Sequence, residues 1–499
     1  MKKIGRKRFL STVGMASFTA IIPSGRSFSQ TPGTGPFLGN GMRNGWADQE
    51  SVVIWTRLTK KPDMNRDGTP FLCPDLVSVN EFLKTETITE AGIYDLQIPK
   101  GAKLEEMDGA CPGSEGEVKL IWYPAGSPLL SKETGWEPVD KNRDYTKQWK
   151  LSDLKAGTRY SVTIKARKTG DSKVSHEING EFGTAPEEIF PKDISFCIVT
   201  CHGHHRRDNR EGGHEIYRSM LLKKPDFYVH TGDVEYYDAI YPWALTEDLM
   251  RFKWNRLFAL PFQRNFFRQV TSYFMKDDHD TLKDDCSPGD RYGLVSFERG
   301  LEIFDNEQFP TTEKTYKTIC WGKDLQIWLL EGRNYRSHNK MEDGPDKTVL
   351  GREQRDWLFE TVEKSHATFK LIINPTPILG PDFSYKTDNH ATKGFKYEGD
   401  MLKSFFSKQK NLYLCHGDSH WQHVTYRKEE NLWEFCCGAG TDFANMGWTG
   451  GKHPDHQFFR LMGGFLHGRV FRENGLAKLN LSICNVDGKA LYTKVFEVI

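Results

Sequence analysis

The sequence has almost no net charge: 68 Lys and Arg face 67 Asp and Glu, leaving +1 with histidine neutral. No field of one sign is present to draw in nucleic acid, and no acidic bias marks a solvating tail. Long apolar runs are also missing. Mean hydropathy is −0.61 and hydrophobic residues make up 37%, which excludes a protein built of spanning helices, each needing about 20 apolar residues. Ten cysteines in 499 residues are too few for a disulfide-built scaffold. No internal repeat, low-complexity tract, Gly-rich nucleotide loop or basic nucleic-acid patch stands out. Aromatic residues, in contrast, reach 13%, with 13 Trp and 32 Phe. That suits β-rich cores and clefts with large side chains.

The first residues read as a leader. Residues 1–8 (MKKIGRKR) are basic, and residues 9–22 form a weakly apolar run too short to span a membrane. Ser27 and Ser29 put small residues at the −3 and −1 places of a cleavage site before Gln30. Residues 1–29 are therefore expected to be a signal peptide. Arg6-Lys7-Arg8-Phe9-Leu10 resembles a twin-arginine export signal with Lys in the second Arg place. The expected location is periplasmic or extracellular, with no permanent membrane anchor.

After a Pro/Gly linker at 30–36, residues 37–186 carry short β-branched and aromatic runs at 51–58, 94–98, 118–123, 148–151 and 160–166. Gly and Pro clusters separate them, with one helical stretch near 79–89. This predicts an N-terminal immunoglobulin-like β-sandwich. Residues 154–160 (LKAGTRY) look like the turn before a fibronectin-type strand with a buried Tyr. Residues 192–499 alternate apolar strands with helical stretches at 213–222, 242–257 and 352–365, which predicts an α/β domain of central sheets covered by helices. The chain ends on a hairpin around Asp487-Gly488. Only His176 precedes residue 202 among 16 histidines, so the chemistry is expected in the second part.

In such sheets reactive groups collect past the carboxyl ends of strands. The apolar runs here end in Cys201-His202-Gly203-His204-His205, Gly232-Asp233-Val234-Glu235-Tyr236, Asp277-Asp278-His279-Asp280 and Gly417-Asp418-Ser419-His420. Taken singly, each has an ordinary explanation: a turn, a solvated charge run, a buried small thiol. Four such ends in one domain form a carboxylate-rich, histidine-containing constellation of the kind two cations need. Two metals about 3.5–4 Å apart can clamp both oxygens of a phosphate-ester displacement.

This ordered series resembles the alkaline phosphatase D (PhoD) branch of the calcineurin-like metallophosphoesterases. Residues 39–58, Thr200-Cys201, the 232–236 and 277–280 segments, Glu331-Gly332-Arg333-Asn334-Tyr335-Arg336, residues 350–358 and Gly417-Asp418-Ser419-His420 all fall in the family's order. The resemblance implies an αββα metallophosphoesterase sandwich preceded by the β-sandwich. It implies hydrolysis of phosphoric mono- or diesters, small-molecule or lipid, by a metal-bridging oxide or hydroxide. Asp233 would bridge two metals. Cys201, Tyr236 and His420 would complete a ferric site, since thiolate and phenolate are anionic donors. Asp278 and Asp418 would hold a divalent cation, calcium or another, with Asn374 nearby. His279 would face the substrate as a proton donor. Arg333 or Arg336 would bind phosphate oxygens, the alternative being a structural salt bridge.

The chain also departs from the family pattern. Lys276 stands where the family has Trp, Asp284-Asp285 replace Asn residues, Val234 replaces Tyr, and residues 202–205 replace a Gln-containing segment, with polar contacts to substrate one consequence. With Cys201 as a ligand, nine cysteines remain, an odd number; Cys436 and Cys437 read as buried strand-end thiols rather than a strained pair. Two other functions fit the same frame: hydrolysis of another anionic ester such as a sulfate, and a non-catalytic binding protein.

Overall fold

The computed structural model describes residues 35–442, 448 and 450–498. The leader read at 1–29 lies outside the described residues. Near the start, Met42–Gly45, Val52–Arg57 and Thr146–Leu151 form a three-stranded antiparallel sheet. A second antiparallel sheet centres on Glu117–Pro124, Arg159–Arg167 and His176–Gly183. In Arg159–Arg167 alternate residues are buried, the period-2 pattern of a strand with one face on a core. Leu38, Ile54, Leu120, Trp149, Ile164 and Phe182 fill the space between the sheets. Tyr160 is buried and its hydroxyl accepts from the Lys155 N–H at 2.8 Å, the corner that the 154–160 segment predicted.

Two larger sheets follow. The six-stranded one has Thr271–Phe274, Phe227–His230 and Ile194–Val199 in parallel, then Phe465–Glu473, Leu476–Cys484 and Ala490–Val498 antiparallel. The seven-stranded one has Leu325–Leu329, Phe369–Asn374, Leu412–His416 and Leu432–Cys437 in parallel at its centre. Their facing sides share Ile198, Val229, Ile327, Leu371, Cys415, Phe435 and Leu481. Ile216–Leu222, Glu247–Phe258 and Pro261–Phe267 cover one outer face, and Arg352–Glu363 and Lys396–Phe406 the other. These are the central sheets covered by helices that the strand–helix alternation predicts, in the αββα order that the resemblance implies. Gly35–Ile499 is one unit. Arg43 ties the N-terminal sheet into it, its guanidinium 3.5 Å from the Trp55 ring and 3.9 Å from the Phe258 ring.

Local structure departs from expectation between the first strands. The run at 94–98 is not a strand but the end of a helix, Glu90–Gln97. Thr89 caps it by accepting from the Gly92 N–H, and Ile93 and Gln97, four apart, are its buried face. The helical stretch near 79–89 is instead Leu76–Phe82, capped by Asp75. All ten cysteines are free thiols. No helix of the described residues is long and apolar enough to cross a membrane.

Candidate metal centre

The parallel strands deliver the site. Ile194–Val199 leads into Cys201, Phe227–His230 into Asp233, Thr271–Phe274 into Asp277 and Asp278, and Leu412–His416 into Asp418 and His420. The first two loops are zipped together by main-chain bonds from Cys201, His202 and Gly203 to the carbonyls of Gly232, Asp233 and Val234. Cys201, Asp233 and Asp418 all have φ between 51° and 62°, a left-handed conformation that side chains of this kind adopt at a cost. A Cβ at Gly232, itself at φ 122°, would meet the Asp277 Cβ at 2.6 Å. Glycine there lets the loops carrying Asp233 and Asp277 close on each other.

The donors converge. The Tyr236 hydroxyl donates to Asp233 Oδ2 at 3.1 Å and lies 2.9 Å from His420 Nε2. Cys201 Sγ is 3.5 Å from the same Asp233 oxygen. Cys201, Asp233 and His420 offer ligand atoms within 4.8 Å of one another, and so do Asp233, Asp278 and His279. Asp233 belongs to both groups, and its Oδ1 is buried with no hydrogen-bond partner. Asp278 also groups with Asp285 and Asp388. Asp418 presents its carbonyl 3.4 Å from Cys201 Sγ, but its carboxylate is in none of these groups among the described residues. Asn374 donates to the Thr376 carbonyl and leaves its Oδ1 buried and unpaired.

The charge balance fits cations. Burial, then the neighbouring Asp233 and Asp418, pushes the Cys201 thiol well above its ordinary range. Burial, then Asp233 and Cys201, does the same to the Tyr236 phenol. Burial also raises Asp233 and Asp418 against the pull of His279 and Lys386 respectively. These four acids are short of positive charge, which bound cations would supply. Burial, with Arg206 next, holds His420 well below the usual histidine range, so its imidazole is neutral and able to bind a metal. His279 behaves oppositely: burial would lower it, but Asp238, Asp278 and Asp233 overcome this and hold it well above. Its Nδ1 is 2.6 Å from Asp238 Oδ1, which fixes the ring and keeps it protonated.

The two expected phosphate-binding arginines are both buried, and Arg333 lies 3.8 Å from Asp278 Oδ1. Arg333 is fully buried: Nε donates to Asp277 Oδ1 at 2.7 Å, one terminal nitrogen to the Cys286 carbonyl at 3.0 Å, and the other to Asp388 at 3.4 Å. Arg336 donates to Asn339 and to the Gly332 and Asp388 carbonyls. Arg333 is placed as the salt-bridge alternative, whereas Arg336 is an internal tie through carbonyls and an amide, with no carboxylate partner among the described residues.

Arg206, Lys386 and Asp238 are the residues that sequence reasoning missed. An Arg206 terminal nitrogen lies 3.3 Å from both the Tyr236 hydroxyl and His420 Nε2. Lys386 pairs with Asp284 at 3.3 Å and with Asp285. The basic run after Cys201 was the available signal for Arg206; nothing local marks Lys386. The departures from the family pattern also find partners. Lys276 is buried against Asp305 at 2.9 Å and Glu331 at 3.3 Å. His202 and His204 face inward, with His202 Nδ1 2.6 Å from His230 Nε2, and His205 packs edge-on to Tyr236.

Two facing sheets with metal-donor loops at their strand ends define a metallophosphoesterase fold. Residues 304–456 match the family of PhoD-like phosphatases. That segment holds Arg333, Arg336, Asp418 and His420; the donors from Cys201 to His279 precede it. Among solved structures, one described as PhoD is similar over 94% of this chain and 90% of its own, at 15% identity and TM-score 0.66. A purple acid phosphatase from yellow lupin (Lupinus luteus) seeds is similar over 91% of this chain and 74% of its own, at 12% identity and TM-score 0.58. No curated protein matches the chain. The resemblance to PhoD-like phosphatases thus holds in both sequence and fold.

Proposed function

We propose that this protein is an exported, metal-dependent phosphoric ester hydrolase of the PhoD-like type. The observation that carries this is Asp233, shared by two donor groups and holding a buried, unpaired carboxylate oxygen. Cys201, Asp233, Tyr236 and His420 would hold Fe(III), whose charge their thiolate, carboxylate and phenolate offset. Asp233, Asp278 and Asp418, with Asn374 beside them, would hold a divalent cation, calcium by resemblance. Bound there, the cations supply Lewis acidity toward phosphate oxygens and an activated water.

The protein's own groups do the rest. His279, held protonated by Asp238 at 2.6 Å, gives its proton to the leaving alcohol oxygen. Arg206 presents its guanidinium beside Tyr236 and His420, where it can take a phosphate oxygen. Lys386 balances the acidic cluster of Asp284 and Asp285. Arg333 holds the Asp277–Asp278 turn in place by pairing with both carboxylates.

Purified protein assayed on phosphate monoesters, phosphate diesters and sulfate esters, with metals analysed in the same sample, tests the reading. Iron together with phosphate-ester turnover is the expected result. Sulfate-ester turnover alone, or metal without hydrolysis of any ester, would replace it with the other hydrolase or with a binding protein.

A further inference from the structure

A second donor cluster lies behind the catalytic loop, on the outer face of the seven-stranded sheet. The register sets His416 beside Cys436 on one neighbouring strand pair, and His423 beside the same Cys436 on the next. Three side chains from three adjacent strands therefore stand in one row. All three are buried, and their ligand atoms lie within 4.8 Å of one another. We propose that His416, His423 and Cys436 hold a zinc-class divalent cation in a structural site separate from the catalytic centre.

Four observations support this. First, His416 Nε2 and His423 Nε2 are 3.3 Å apart. Two nitrogens each 2.0–2.1 Å from one tetrahedral ion would be roughly 3.3–3.4 Å apart. Second, His416 Nδ1 donates to the Gly417 carbonyl at 2.7 Å, which leaves a lone pair on the nitrogen facing His423. A carbonyl partner on the far nitrogen is the usual way a metal-bound histidine is oriented. Third, Glu434 lies two residues before Cys436 on the same strand face. Its carboxylate is fully buried and accepts only from the Ile378, Leu379 and Gly380 N–H groups, with no cationic side chain among the described residues. A divalent ion with one thiolate adds one positive charge, which balances Glu434. Fourth, Trp421 is buried and stacks on His423 with ring centres 5.7 Å apart, closing the cluster from solvent. The Ser419 carbonyl, 3.5 Å from Cys436 Sγ, is an oxygen at hand for a fourth place.

One thiolate and two imidazoles are a borderline-soft set that suits zinc rather than calcium or magnesium. Binding forms the metal–sulfur bond and releases the Cys436 thiol proton to solvent. The ion would pin both sides of Gly417–His420, so it would position Asp418 and His420 without touching substrate.

The test uses the full chain as Cys201→Ser with Asp233→Asn, which removes the catalytic thiolate and shared ligand. Expressed with zinc and dialysed, this protein should retain about one zinc per chain. X-ray absorption at the zinc edge should show one sulfur and two imidazole neighbours. Adding Cys436→Ser or His423→Gln should each remove that zinc; if one variant fails to fold, the other carries the comparison. Absence of retained zinc in the folded parent, zinc bound only through oxygen and nitrogen, or zinc unchanged in a folded Cys436 or His423 variant would overturn the proposal. None of these readouts depends on hydrolysis, so they stand apart from the catalytic assignment.

Discussion

Replacing Arg333 with Met separates two roles that this guanidinium could have. As a phosphate clamp it would matter to substrate and little to folding. As placed, it is fully buried and bonded to Asp277, Asp388 and the Cys286 carbonyl, with Asp278 Oδ1 at 3.8 Å. Arg333→Met would leave three buried carboxylates facing one another without their cation. Breaking a buried pair from one side costs about 3–5 kcal/mol. Unfolding entropy is about 2 cal/mol/K per residue, so in a unit of this length 1 kcal/mol moves the midpoint by about 1 °C, and Arg333→Met should lower Tm by about 3–5 °C. Differential scanning calorimetry on metal-loaded protein reads this directly. Arg333→Met combined with Asp277→Asn should recover part of the loss, because one orphaned charge is gone. An unchanged Tm together with a tenfold or larger rise in KM for a phosphate ester would refute this and return Arg333 to the substrate.

Asp238→Asn should cut turnover by about tenfold or more while leaving metal bound, since a positioned proton donor contributes roughly 10²–10⁴-fold. Because Asp238 raises the His279 pKa, the alkaline limb of the pH–rate profile should move to lower pH; an unmoved limb would count against His279 as the donor. Iron-loaded protein should show a visible phenolate-to-iron band that Tyr236→Phe bleaches or shifts and Tyr237→Phe leaves alone, since the Tyr237 hydroxyl is engaged with Trp254 in the apolar core. A band insensitive to Tyr236→Phe would remove the phenolate from the ferric site. Chelated protein should lose stability as pH rises from about 4 to about 8. Burial raises Asp285 to about 7 and Asp280 to about 8, so the stability they contribute is full only below the unfolded carboxylate pKa of about 4 and is gone above those values. Between about pH 7 and 8 unperturbed histidines are already largely neutral, so the last part of the fall is read there. A Tm of the chelated protein that rises from about pH 7 to 8 would contradict the charge balance drawn for the pocket.

The parts of this site legible in the sequence are those that a strand delivers. Cys201, Asp233, Asp278 and His420 each follow an apolar run, and the run predicts both the strand and the loop past its end; Asp418 is delivered the same way, but its carboxylate is in none of the donor groups among the described residues. The parts that were not legible depend on partners brought from far away. Lys386 meets Asp285 across 101 positions, and Arg206 meets His420 across 214. Arg333 shows the same limit from the other side: an arginine in a motif reads as a phosphate fork until the fold brings Asp277 and Asp388 to it from more than fifty residues away. The 90–97 helix was missed because aromatic and β-branched residues suggested a strand, whereas the Thr89 cap and a buried Ile93–Gln97 face favour a helix.

Metal content and hydrolysis, measured on the same preparations of the unmodified chain and of Asp233→Asn, test the shared-ligand assignment most directly. The unmodified chain should carry iron with a divalent cation and hydrolyse phosphate esters. Asp233→Asn should fold, lose bound iron and retain almost no hydrolysis. A folded Asp233→Asn protein with full iron and full turnover would contradict the account.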